Sequence, residues 1–258
     1  MLRSLPIAAL LLSGCIPTLP EVDDPCAKWE EPGLYRFNVD VDGKKRKAYV
    51  HVPNSAGPRD MVFMLHGGAQ SREEIARSTK IISLANEKGF VAVFPNGMGF
   101  LWKTWDREDE KKHDDVAFLD ALTVELASSV CGEGVLAAGF SQGAMMANRW
   151  ACESDVPDAL VSASGVIAVD GCETGAPVPV RDYHGTSDTV VGYDGTDTNR
   201  VSYIGAQESV AIWRKRNGCT EASTTSVEGD VTCQAWECDV PTELCTVSDW
   251  GHLWPGGA

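Results

Sequence analysis

The chain is poor in basic residues. It has 22 Lys and Arg against 37 Asp and Glu, for a net charge of −15. A polyphosphate partner needs a basic patch, but the dense run Lys44 to Lys47 sits beside Asp40 and Asp42. Nucleic acid is therefore excluded as a partner, and a neutral substrate is expected. No long apolar run is present near the N-terminus. Leu5 to Leu12 falls far short of the roughly 20 residues that a spanning helix needs. Internal repeats, polar low-complexity tracts and Cys-x-x-Cys pairs are also missing, which argues against solenoids, disordered linkers and zinc knuckles. What remains is ordinary globular composition, 43% hydrophobic over 258 residues, enough for one large α/β domain.

The short apolar run follows a charged start, Met1-Leu2-Arg3, as in a signal peptide. It ends in Leu12-Ser13-Gly14-Cys15, which resembles the lipobox of bacterial lipoproteins and implies lipidation of Cys15. The expected organisation is a signal peptide at 1–14, a lipidated tether at 15–32 and a catalytic domain at 33–258, with the membrane reached only through the anchor. Setting Cys15 aside leaves eight cysteines, and an even number in an exported chain reads as disulfides. Cys219, Cys233, Cys238 and Cys245 are expected to pair among themselves, since short loops close easily. The competing reading, a metal site built on Cys233, Cys238, Cys245 and His252, lacks the usual spacing, so no metal is expected.

Residues 35–41 and 46–52 alternate around Asp42-Gly43, a hairpin signal. Continuous apolar runs at 61–65, 91–94, 135–138 and 178–180 then read as buried parallel strands. Helical periodicity is expected over 71–88, 114–129, 142–151 and 206–217, with Asp114 or Asp115 as a cap. The fold class is α/β, with a mostly parallel sheet, an antiparallel N-terminal hairpin and helices on both faces. The stretch 219–241 reads as a stapled excursion, and the charged run Asp106 to Asp115 as a solvated loop.

Gly139-Phe140-Ser141-Gln142-Gly143 lies between an apolar run and a helical segment. There two glycines permit a strained turn that exposes the serine hydroxyl. His66-Gly67-Gly68 ends the strand at 61–65, where free backbone N–H groups can approach a ligand. Gly68 and Gln142 are the candidate donors to a developing oxyanion. A serine nucleophile needs an imidazole base, and the imidazole needs a carboxylate. Of the five histidines, His252 alone follows both Ser141 and Asp188 in the chain. Asp188 follows a predicted core strand, with Asp170 and Asp194 as rival acids. His51 and His113 read as structural or exposed. Trp102, Trp105 and Trp254 either flank a pocket or are simply packed; Trp105 and Trp254 are carried as candidate substrate contacts.

Together LHGG, GFSQGAMMANRWAC, HGTSD and GHLWPGG resemble the polyhydroxybutyrate depolymerase and feruloyl esterase family of secreted carboxylesterases, from about Tyr35 onward. The resemblance implies an α/β-hydrolase fold, a Ser141, Asp188 and His252 triad, no cofactor, and a substrate that is a small ester or an oligomeric polysaccharide or polyester. It also implies a final helix beyond the WPGG segment, whereas this sequence stops shortly after His252. A catalytically silent scaffold and a serine peptidase are the alternatives.

Overall fold

A computed structural model describes residues 31–55, 58–105, 113–198 and 201–255. The expected signal peptide and the expected lipidation site, Cys15, lie outside them.

The N-terminal hairpin forms as its sequence demands. β1 (Gly33–Val41) pairs antiparallel with β2 (Lys44–Val52) through Val41 opposite Lys44, so Asp42-Gly43 is the two-residue turn. Both turn residues have positive φ, the conformation such a turn requires. The continuous apolar runs become β3 (Arg59–Leu65), β4 (Val91–Pro95) and β5 (Gly132–Phe140). β6 (Ala159–Ala163) and β7 (Val180–Gly185) follow in parallel. The chain then makes the small β8 (Thr196–Asp197) and β9 (Ser202–Tyr203) pair. It finishes with β10 (Ser223–Glu228), β11 (Val231–Trp236) and β12 (Thr242–Val247). The main sheet runs β1-β2-β4-β3-β5-β6-β7-β12-β11-β10, parallel from β4 through β12 and antiparallel at both ends.

Strand alternation sorts the core onto two faces. Met61, Phe63 and Leu65 join the cluster containing Phe118, Trp150 and Trp213, which lie on α3 (Asp115–Val130), α4 (Gln142–Glu153) and α5 (Ala206–Arg216). Val62 and Met64 point the other way, against Ile75 and Ala85 of α1 (Arg72–Ser78) and α2 (Ile81–Lys88). Helices thus cover both faces.

Several local expectations change. The helix expected over 71–88 is two helices. Ser71 starts the first with a capping box to Glu74, and the second begins after Lys80, whose left-handed backbone (φ +54°) interrupts the hydrogen-bond ladder. The strand expected at 178–180 is instead Val180–Gly185, with charged residues in its middle. Asp114 caps α3, its carboxylate accepting the Ala117 N–H. Asp115 is not part of a solvated loop. It is buried, ion-paired with Arg46 at 2.5 Å, and accepts the Lys103 N–H at 2.7 Å. Burial alone would raise its pKa, but contacts from His113, Arg46 and the Lys103 amide outweigh burial and hold it low. Arg46, one residue of the basic run Lys44 to Lys47, is buried over the Phe118 ring.

Cys219 pairs with Cys238 and Cys233 with Cys245, as expected for that stretch, and Cys152 pairs with Cys172. Cys131 is also disulfide-bonded.

Candidate active site

Ser141 stands between β5 and α4 with φ +56° and ψ −123°, outside the regions where a non-glycine residue rests easily. The surrounding packing enforces that turn. A Cβ on Gly139 would run into the carbonyl of Gly143, and one on Gly143 into the carbonyls of Leu65 and His66. The Ser141 N–H is tied to the Ala163 carbonyl at the end of β6, 2.9 Å away. The turn is therefore locked against β3 and β6, with the half-buried serine on top.

The end of β3 supplies the next wall. His66 is fully buried. Its Nε2 accepts the Gly97 N–H at 2.9 Å, so the ring proton sits on Nδ1, which donates to the Gly67 carbonyl at 2.8 Å. Burial depresses the pKa of this histidine, against the Gly67 hydrogen bond, and it serves as a neutral peg. The Trp102 indole donates to the His66 carbonyl, and the Gln142 side-chain amide clamps the Trp102 backbone at both N–H and C=O, 3.2 Å each. Arg149 holds the Lys103 and Trp105 carbonyls from α4. Gly67 N–H is taken by the Gln70 side chain. The N–H groups of Gly68 and Gln142 have no acceptor among the described residues, and Gly68 lies directly against the Gln142 side chain.

Asp188 follows β7 by three residues. Its Oδ1 accepts the N–H groups of Val190 and Val191 at 2.8 and 2.9 Å, and its Oδ2 accepts His252 Nδ1–H at 2.7 Å. Burial would push this carboxyl up, but these hydrogen bonds outweigh it, so its pKa lies below the ordinary value. The other ring nitrogen of His252, Nε2, is 2.8 Å from Ser141 Oγ. His252 rides on the loop after β12. That loop is held by Ser187 N–H to the Trp250 carbonyl, by Asp249 N–H to Thr186 Oγ1, and by the Phe140 ring 5.0 Å from the imidazole. It presses so close to Gly185 that a Cβ there would meet the Trp250 carbonyl.

The structure thus brings Ser141, Asp188 and His252 together, with Gly68 and Gln142 beside the serine. Asp170 and Asp194 are exposed and make no hydrogen bond to His252. Trp102 is buried and structural. Trp105 stacks on Tyr203 with ring centres 6.2 Å apart, and Trp254 is half-buried against the α1/α2-side core. Two contributors were not singled out from sequence: the side chain of Gln142, and His184, whose Nε2–H donates to the Val191 carbonyl and so steadies the turn that binds Asp188. The HGTSD motif was the available signal for the second. Cys233, Glu243 and Cys245 are close enough together to suggest a metal site, but the two sulfurs are bonded to each other.

No family model matches the chain. It is 29% identical over 202 residues to feruloyl esterase B of Piromyces equi, across 72% of this chain and 37% of that protein. It is 28% identical over 255 residues to NocK of Nocardia uniformis subsp. tsuyamanensis, provisionally named an esterase, across 85% and 73%. Among solved structures it superposes on an acetyl xylan esterase from Aspergillus awamori with a TM-score of 0.70 at 18% identity, covering 86% of this chain and 95% of that one. The chain has the α/β-hydrolase fold, and the curated relatives it matches are named as esterases. The chain spans only about a third of the Piromyces protein it matches.

Proposed function

We propose that this α/β-hydrolase is a serine carboxylesterase with Ser141 as nucleophile, His252 as base and Asp188 as the acid that orients it. One observation carries the assignment. Ser141 Oγ, His252 and Asp188 form one line of hydrogen bonds, 2.8 and 2.7 Å long.

With the Nδ1–H directed at Asp188, His252 Nε2 is the free base, and it takes the Ser141 proton as Oγ attacks the ester carbonyl carbon. The carbonyl oxygen gains charge and is met by the N–H groups of Gly68 and Gln142, already fixed by the backbone. The tetrahedral species collapses as the C–O bond to the alcohol breaks, and His252 returns its proton to that oxygen. Water then repeats the sequence on the acyl-Ser141 ester, releasing the carboxylic acid and restoring the serine. Asp188 remains ionised throughout, which its depressed pKa favours.

The names of the relatives point to acetyl or feruloyl groups carried on a polysaccharide, with hydroxyalkanoate esters as a further class to test. The disulfides suit an oxidising compartment, and the proposed location is outside the cytoplasm, on a membrane anchored through lipidated Cys15. Mass spectrometry of the native N-terminus tests the anchor; an unmodified start downstream of Cys15 would defeat it. For the chemistry, a fluorophosphonate probe should label Ser141 and no other residue, and at least one of acetyl-xylan, feruloyl and hydroxybutyrate esters should be cleaved. Labelling without ester turnover, but with peptide turnover, would make the chain a peptidase. No labelling at all would make it a silent scaffold.

A further inference from the structure

The loop after β4 holds three large apolar side chains in solvent. Met98, Phe100 and Leu101 are 36%, 49% and 51% exposed. The loop is not slack. The Gly97 N–H is pinned on buried His66, Met98 and Leu101 bridge one another, and the Phe100 carbonyl accepts the Ala69 N–H at 2.9 Å. Phe100 takes φ +64°, in the left-handed region where a bulky L-residue is strained and Gly or Asn would rest at less cost. Its partner Ala69 is left-handed as well, at φ +59°. Core packing does not account for a strained aromatic ring half in water, and strain of this kind collects where a side chain has a task.

The position of the tip indicates the task. Ala69 adjoins Gly68, and Trp102, two residues after Phe100, is clamped by the Gln142 side chain. The tip is therefore fastened to both proposed oxyanion donors. When an ester carbonyl oxygen lies on those N–H groups, the alcohol oxygen must face His252 Nε2 to receive its proton. The acyl substituent then leaves on the side away from His252, along the oxyanion loop. We infer that Met98, Phe100 and Leu101 form a platform for an extended apolar or aromatic acyl group, with Phe100 as the specificity-determining residue. This rests on the serine esterase reading and adds which part of the ester the chain selects.

The test uses the full chain with ethyl cinnamate, ethyl acetate and benzyl acetate, comparing wild type with Phe100→Gly and Phe100→Asn. Both variants keep the carbonyl that holds Ala69 and tolerate the left-handed backbone, so neither thermal midpoint should fall. The ratio of kcat/KM for ethyl cinnamate over ethyl acetate should drop at least about ten-fold in both, chiefly through KM. That is the size expected when one aromatic ring loses its apolar contact. The ratio for benzyl acetate over ethyl acetate should stay within about two-fold. The inference is overturned if the cinnamate ratio is unchanged, if benzyl acetate loses as much, if all three esters fall by one factor, or if the wild type cleaves acetates alone. A wild type that no fluorophosphonate labels at Ser141 fails differently, because then the esterase reading falls and not the platform alone.

Discussion

The elbow of the sheet and its far edge are held by different means. Around β3, β5 and α4, residues such as Phe63, Leu65, Ala144 and Trp150 are fully buried, and backbone segments approach so closely that only glycine fits at 139 and 143. At the far edge β10 is exposed along its whole length and β11 is only half-buried. Two disulfides cross-link that edge instead, Cys219 to Cys238 and Cys233 to Cys245. Where two helical layers cover the sheet, apolar burial carries most of the support and the Cys152–Cys172 bridge adds to it; where the ribbon is half-exposed or more, covalent staples that restrict the unfolded chain take the larger share. The proposed catalytic residues straddle this divide. Ser141 belongs to the packed end, whereas His252 hangs on the loop after β12, which Cys245 fastens to the ribbon.

The largest expected effect touches neither means of support. Ser141→Ala removes a half-buried hydroxyl and should leave unfolding unchanged while kcat on any cleaved ester falls by about 10⁴-fold or more. His252→Ala should match it, and the double variant should lose little further because the two act as a unit. Wild-type turnover by Ser141→Ala would end the assignment.

Next in size is a pair of glycine substitutions, one in each region. Gly143→Ala drives a methyl into two carbonyls of a segment that cannot retreat, and should cost about 3 kcal/mol or more in chemical denaturation. Gly229→Ala, at φ +59° in the β10–β11 turn with nothing near its Cβ position, should cost only about 1 kcal/mol of backbone strain. Equal losses would erase the contrast between the two ends. Converting Cys233 and Cys245 together to serine should cost about 2 to 3 kcal/mol, the entropy of the short loop they close. Free thiols at these positions in a native peptide map would refute the premise.

Much of the packed end was legible because its signals are local. Asp42-Gly43 specifies the hairpin turn, the apolar run at 61–65 its strand, and the glycines at 139 and 143 the elbow. The far edge was harder to read. β12 carries Thr242, Glu243 and Thr246, and β7 carries Arg181, Asp182 and His184, so neither looks apolar; their pairing is set by the neighbouring strands. β6, Ala159–Ala163, is too short and mild to stand out. The burial of Arg46 could not be read either, because its partner Asp115 lies on another element and long-range ion pairs leave no periodicity. At the site, the candidate residues were visible as motifs, while the pegs that hold them, His66 in its Nδ1–H form and the Gln142 clamp, exist only once the strands are aligned.

β7 also yields the smallest prediction, one that separates burial from charge. Asp182 is buried between β6 and β12, its Oδ2 without a partner among the described residues, as is His184 Nδ1 two residues on. Burial pushes its pKa from the ordinary 3.8 up to about 6, against the weaker pull of His184 and Ser162. The folded chain thus keeps this proton at pH values where the unfolded chain has released it. The stability that Asp182 contributes is fully present below about 4 and is lost as pH rises through about 6. The sign is opposite for Asp188 and Asp115, whose depressed pKa values make their contribution present at neutral pH and lost as pH falls. Asp182→Asn deletes the ionisation and keeps the shape. About two pKa units correspond to roughly 3 kcal/mol, from which the imperfectly paired amide subtracts about 1 to 2 kcal/mol. The variant should therefore gain about 1 to 2 kcal/mol over wild type at pH 8 in urea titrations, and gain nothing or lose stability at pH 4. A difference between the two proteins that stays flat from pH 4 to 8 would mean that Asp182 carries the same charge in the folded and unfolded chains, and that burial on the inner side of β7 is not what governs it.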